Sequence, residues 1–248
     1  PTTWRLAAMN LAIRGFASDL GKEPADTFGR DQHLDVKFDY ILATPPFNIS
    51  DWGGEKYQDD PRWKFGTPPP GNANYAWLQH MLWKLKPGGQ AGIVLSNGSM
   101  SSNTSSEGDI RKAMIESDLV EVMIALPGQL FLNTQIPCCL WFLTNNKTKN
   151  GRDRKNETLF IDAKNLGTME SRVLKVLKTE DIKKISNTVR LWREGNKYQN
   201  IKGFCKSATI QEIKNNEYVL TPGRYVGFAE EEDDNVIFKE KISSLLET

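Results

Sequence analysis

Thr44-Pro45-Pro46-Phe47 is the stretch of this chain whose residue types best suit chemistry. It lies directly behind an apolar run, "DYILA" (39–43), and "FDYILATPPF" (38–47) reads as a short buried strand running into a proline corner. Proline fixes φ and carries no amide hydrogen, so the corner is rigid and its carbonyls are left to accept hydrogen bonds. Phe47 sets a flat face beside them, and Thr44 adds a short hydroxyl. In open α/β sheets, ligands sit beyond the carboxyl ends of the strands, which is where this corner is delivered. Acceptors beside an aromatic platform suit a planar ring carrying an amino group, such as an adenine turned out of a duplex. The same residues suit a proline-rich loop that buries its Phe, and the tetrapeptide alone leaves both readings open.

Other chemistries lack their residues. There is no G-x-x-x-x-G-K-[ST] phosphate loop, and "WGGEKY" does not fit it. There is no G-x-S-x-G elbow, and "NGSMSS" (97–102) reads as a polar loop after a strand. The glycines of "PGGQAG" (87–92) precede a strand instead of following one, so they read as a helix-to-strand turn and not as a dinucleotide loop. His33 and His80 lie far apart, neither has a partner at metal-ligand spacing, and no metal site is expected. Cys138, Cys139 and Cys205 show no C-x-x-C spacing, so neither a zinc site nor a disulfide framework is indicated. A reducing, cytoplasmic setting is the simplest match.

The elements that must position the corner follow from periodicity. Residues 2–15 predict a helix with Leu6, Met9 and Ile13 on one face and Gly15 as its stop. Residues 51–72 have no period and read as a long loop, which in a compact domain is usually functional. A helix follows over 73–85, with Tyr75, Leu78, Leu82 and Leu85 on one face, then a strand over 91–96 and a helix over 107–117. Strands are predicted at 119–126 and 138–144. This alternation argues for a layered α/β domain with a largely parallel sheet. Further on come a strand at 158–163, an amphipathic helix over 179–195 capped by Thr179, a helix over 207–219, and the start of another over 236–248.

Composition bounds the rest. The chain has 248 residues, 39% hydrophobic and 25% charged, enough for one large domain or one domain with an appendage. No apolar run approaches a membrane span, and no leader is expected. Net charge is +1, so the chain as a whole is no electrostatic magnet for nucleic acid. "NKTKNGRDRKN" (146–156) and "EEEDD" (230–234) read as solvated loops, the first also as a run able to touch phosphates.

The corner resembles the Asn/Asp-Pro-Pro-aromatic motif of amino-group DNA methyltransferases. "PTTWRLAAMNLAIRG", "ADTF", "DYILATPPFNISDW", "GNANYAWLQHML", "KPGGQAGIVLSNG", "TQIPCCLWFL", "LFIDAKNLG", "GFCKSATIQEI" and "YVLTPGRYV" occur in that order. Together they resemble the modification subunit of type I restriction–modification systems, from residue 1 to about 228. The resemblance implies methylation of adenine N6 in DNA with S-adenosylmethionine as cofactor. It implies a partial Rossmann-like α/β sheet with helices on both faces, followed by an α-rich C-terminal extension. The divisions expected are 1–145, the catalytic core; 146–228, the end of the methyltransferase region; and 229–248, the start of a helical segment. By the same resemblance Thr44, Pro45, Pro46 and Phe47 are the catalytic residues, and Asp26, Thr27 and Thr44 bind the cofactor. The implied partners are DNA and the specificity and restriction subunits, with the helix near Val236 docking on the specificity subunit.

Two departures stand out. Thr44 occupies the position where the family has Asn, which implies impaired transfer. The glycine-rich first cofactor motif is expected to be missing, as in a C-terminal fragment of a subunit about twice as long. A catalytically inactive scaffold or DNA-binding module, and a related methyltransferase acting on RNA or protein glutamine, remain alternatives.

Overall fold

The computed structural model describes residues 2–149 and 151–228. The chain divides into two units, Pro1–Phe38 and Asp39–Thr248. The first unit holds helix α1 (Thr2–Ile13), which forms where the 3.6-residue period and the Gly15 stop predict it. Its apolar stripe is not buried: Leu6, Met9 and Ile13 are all exposed.

The remaining elements are β1 (Phe38–Ala43), α2 (Asn74–Lys84), β2 (Leu85–Ser96), α3 (Glu107–Glu116), β3 (Val120–Ala125) and β4 (Cys138–Thr144). They are followed by β5 (Glu157–Asp162), β6 (Thr168–Met169), β7 (Lys175–Val176), α4 (Thr179–Glu194), β8 (Cys205–Thr209), α5 (Ile210–Asn215) and α6 (Gly223–Val226). Six strands form one sheet in the order β1-β2-β4-β3-β5-β8, while β6 and β7 form a small separate ribbon. Residues 146–228 thus supply helices and also two strands of the main sheet. The helix expected over 236–248 lies outside the described residues.

The sheet is mixed, which corrects the expectation of a largely parallel one. β4 runs antiparallel to both β2 and β3, β8 runs antiparallel to β5, and β3 pairs parallel with β5. The physical reason lies in the connection. Residues 126–137 contain no helix to carry the chain back across a face, so the strand after them reverses direction.

Three local expectations also change. β2 starts at Leu85, so the Pro-Gly-Gly segment is an irregular strand entry, not a turn. It is held because Asn145 accepts from the Gly88 amide at 2.6 Å and donates to the Lys86 carbonyl at 3.0 Å. Helix α4 is capped by Lys178, not by Thr179, and the Asp181 carboxylate accepts the Lys178 amide at 2.9 Å. Residues 205–209 form a strand, and the helix beyond it starts one residue after Thr209, which with Glu212 builds a capping box.

Alternation along the strands divides the core between the two faces. Ile93, Leu95, Met123, Trp141, Leu143 and Phe160 meet side chains of α2, α3, α5 and α6 on one face. Ile124, Leu159 and Ile161 meet Trp192 of α4 on the other. A register shift between Val120 and Val122 interrupts this alternation at Glu121. Its fully buried carboxylate is held by Arg154 at 3.1 Å and Arg193 at 2.5 Å. All three cysteines are buried free thiols. No helix among the described residues is long and apolar enough to cross a membrane.

Removing one member of a buried ion pair leaves the other desolvated and unpaired. Glu121→Ala is therefore expected to cost about 3–5 kcal/mol of stability. Arg190→Ala, which breaks the exposed Arg190–Glu194 pair, is expected to cost under about 0.5 kcal/mol. Urea unfolding of both variants checks this.

Candidate functional site

Strand registers gather several chain segments at one sheet edge. Ser96, the last residue of β2, lies opposite Cys138, the first of β4. Ala125, the last of β3, lies opposite Cys139 on one side and Asp162, the last of β5, on the other. The loops after β2, β3 and β5 therefore leave from the same edge. The corner after β1 joins them there, because Ser96 Oγ donates to Asn48 Oδ1 at 3.0 Å.

At this corner Thr44 and Pro46 are exposed, Pro45 is buried and Phe47 is half-buried. The Thr44 hydroxyl and the carbonyls of Pro45 and Pro46 make no hydrogen bond to the described residues. They are acceptors without an internal hydrogen bond, as the residue types suggested. Phe47 meets Phe131 edge-to-face, with ring centroids 6.0 Å apart and an interplanar angle of 73°. Phe131 belongs to the β3–β4 loop, and sequence reasoning missed it. The available signal was an aromatic inside "PGQLFLNTQIP", a turn-rich link between two apolar strands.

The backbone turns sharply at Asn48, whose φ is 53°. Asn is one of the few non-glycine residues that tolerates this left-handed conformation. The Asn48 amide donates to Asn74 Oδ1 at 3.2 Å, and Asn74 Nδ2 donates back to Asn48 Oδ1 at 2.8 Å. The next carbonyl, of Ile49, accepts from the Ala73 amide at 3.0 Å. The corner is thus fixed both to the start of α2 and to the end of β2.

The long loop between β1 and α2 packs on itself. Trp52 is buried, stacks with Tyr57 and meets Trp63 edge-on at 5.9 Å. Its indole donates to the Pro69 carbonyl at 3.1 Å. A Cβ on Gly54 would fall 2.6 Å from the Trp52 ring, so glycine is needed there for close packing. The turn after β2 is equally tied down: Tyr75 Oη donates to the Ser99 carbonyl at 2.7 Å, and the Trp141 indole donates to Ser99 Oγ at 3.0 Å. Burial pushes the Tyr75 phenol up, and the Cys139 thiol up to about 12, so both are neutral groups of the wall.

Asp26 and Thr27, the cofactor candidates outside the corner, belong to the first unit. Asp26 Oδ1 accepts from the Phe28 amide at 3.1 Å and its carbonyl from the Arg30 amide at 2.8 Å, so Asp26 shapes a turn. Its other carboxylate oxygen makes no hydrogen bond to the described residues, and the residue is exposed.

Among its described residues the basic run at 146–156 is a largely exposed loop, as expected, but three of its cations are paired with carboxylates. Lys147 is buried against Asp118 at 2.6 Å and also donates to the Glu157 carbonyl at 2.6 Å. Arg154 holds Glu121, and Arg152 holds Glu157 through contacts of 2.6 and 3.1 Å. The run also follows the far end of β4, at the sheet edge opposite the corner. Lys149 and Lys155 keep exposed side chains.

Comparison with known proteins bears on these features. The N-6 DNA Methylase family model matches residues 1–234. The type I restriction enzyme HindI methylase subunit of Haemophilus influenzae is 57% identical over 245 residues, which cover 99% of this chain and 54% of that protein. The MjaIX methylase subunit of Methanocaldococcus jannaschii is 43% identical over 255 residues, covering 100% of this chain and 44% of that protein. The chain therefore spans about half the length of the curated relatives it matches. Among solved structures, the type I restriction-modification methyltransferase subunit of Streptococcus thermophilus superposes with a TM-score of 0.78 at 32% identity, covering 90% of this chain and 46% of that one.

The ion pairs of the 146–157 segment carry a pH dependence. The Arg152 guanidinium beside Glu157 holds its carboxyl below the usual value of 4.5. A depressed carboxylate pKa stabilises the fold fully above the unfolded value and loses that contribution as pH falls through the folded one. Glu157→Gln is thus expected to be less stable than the parent at neutral pH, with the gap closing once pH drops below 4.5. Urea midpoints measured at neutral and acid pH test this.

Proposed function

The chain belongs to the N-6 DNA methylase family, and from that premise we propose that it carries the base-binding corner of a modification subunit that methylates N6 of adenine in DNA. The observation that carries this reading is the rigid Thr44–Phe47 corner. Its unbonded acceptors stand beside an aromatic face at the edge where the strand ends gather.

Phe47 offers its face to a flipped base, and Phe131 supports Phe47 edge-on. The Thr44 hydroxyl and the Pro45 carbonyl accept the two hydrogens of the adenine amino group. That leaves the nitrogen lone pair directed away from them, toward the methyl donor. Prolines make this arrangement cost little reorganisation at the moment of reaction. S-adenosylmethionine, when bound, supplies an electrophilic methyl group on a sulfonium. Transfer would leave the cofactor as a thioether, and the amino proton hydrogen-bonded at the exposed Thr44 would pass to solvent. By the family resemblance Asp26, Thr27 and Thr44 are the residues we assign to the cofactor, and Asp26 keeps one carboxylate oxygen without a hydrogen bond to the described residues.

Specificity and restriction subunits are the partners we assign, with cytoplasmic DNA as the substrate. The net charge of +1 and the internal pairing of the basic run support leaving sequence choice to another subunit.

A second reading, a scaffold with a disabled site, draws on Thr44 itself. A Thr hydroxyl is shorter than an Asn carbonyl, rotates, and carries its own proton. Thr44→Asn in the complete subunit, assembled with its partners, is expected to raise methyl transfer by about 100- to 1000-fold, the usual worth of one well-aimed polar group. Formation of N6-methyladenine in unmethylated plasmid DNA, followed by mass spectrometry, is the measurement. An unchanged rate favours the scaffold.

A further inference from the structure

We infer that Asn48, Asn74 and Ser96 form a positioning unit that sets the placement of Phe47 and the Pro45–Pro46 carbonyls for transfer, a role that rests on the reading above. None of the three needs to touch the base. They act through the corner.

The hydrogen bonds leave little freedom in how this unit is built. The Asn48 backbone amide can only donate, so the Asn74 atom facing it must be the side-chain oxygen. The Asn74 amino group then faces Asn48, whose facing atom must be its own oxygen. Ser96 Oγ donates to that same oxygen, which fills both of its acceptor positions. The amide orientations are therefore fixed by the network and not by choice. Asn74 and Ser96 are each under 5% exposed, so losing a partner leaves a buried polar group unsatisfied.

The location gives the unit its consequence. Asn48 follows Phe47 directly, and its φ of 53° redirects the chain there. Two prolines fix the corner on the upstream side; the side-chain ring fixes it downstream. Asn74 opens α2 and Ser96 closes β2, so the corner takes its position from two packed elements. A shift of even 1 Å at Phe47 would tilt the base and misalign its amino group, the kind of misplacement that costs about 100-fold in rate.

The test separates backbone freedom from side-chain bonding. It uses the complete subunit with its partners, in whichever of the parent and Thr44→Asn forms is active. Asn48→Gly keeps the left-handed backbone and the amide but deletes the acceptor. It is expected to lower the single-turnover rate of methyl transfer to unmethylated plasmid DNA at least ten-fold, with S-adenosylmethionine affinity changed less than two-fold. Asn48→Asp, which keeps an acceptor for both donors, is expected to recover most of that rate.

Hydrogen exchange reads the unit without activity. In Asn74→Ala, residues 48–50 are expected to exchange at least ten-fold faster, while β2 keeps the parental rate. An Asn48→Gly enzyme with parental rate overturns the inference, as does equal acceleration across β2, which would mean general loosening. If neither the parent nor the Thr44→Asn form makes N6-methyladenine, the function proposed above falls and takes the positioning role with it. Exchange in Asn74→Ala then still shows whether the hydrogen-bonded unit exists, so the two failures remain distinct.

Discussion

The register of β4 against β2 and β3 is the constraint on which the rest depends. β4 is buried between two strands, and its residues "CCLWFLT" are apolar up to the final Thr. Trp141 and Leu143 serve one face, while Leu140 and Phe142 serve the other. A slip of one residue would exchange these sets and send the Trp141 indole away from Ser99. It would also move Ser96 off Cys138 and break the alignment of strand ends. The working edge is thus a by-product of core packing. Large apolar side chains hold the register, and the register decides which loops meet.

On that edge, rigidity is distributed over different devices. Prolines remove torsional freedom from the corner, indoles fill the interior of the long loop, and hydrogen bonds to Ser99 hold the turn after β2. At the corner itself they leave open one hydroxyl, two proline carbonyls and a half-buried ring. The proposed binding of a flat, amino-bearing ring needs few groups, but it needs them stationary. The surrounding residues supply that stillness by packing and by hydrogen bonds among themselves.

Much of this was legible in the sequence, for physical reasons that can be named. Strands β3, β4 and β5 were readable because burial on both faces demands unbroken apolar runs. The proline corner was readable because proline acts locally. Direction was not: an apolar run carries no sign for parallel or antiparallel, and the helix-free loop at 126–137 decided it. Residues 207–209 were absorbed into a helix because "CKSAT" (205–209) is short and polar, and only pairing with β5 makes it a strand. Phe131 and Asn74 were missed because their partners at the corner are 84 and 26 residues away in sequence (131 − 47 and 74 − 48). Pairings at such separations exist only after the chain has folded. The role of Asp26 and Thr27 rests on resemblance and remains a proposal.

The basic run shows why charge counted along a chain is a poor guide to partners. Lys147, Arg152 and Arg154 fall within eight residues of one another, a pattern that reads as a contact for phosphates. Folding assigns each of them a carboxylate: Asp118, Glu157 and Glu121. Two of those acids lie on strands and one sits just before a strand, so the segment after β4 is pinned to β3 and β5 by charge. Burying such cations is costly, and the cost is offset only where every donor finds an acceptor. Arg154 meets this condition by donating to the Arg152 and Lys149 carbonyls as well as to Glu121. These cations have already exchanged water for protein. A phosphate would have to displace a carboxylate from a closed network to reach these three cations, so they serve the fold.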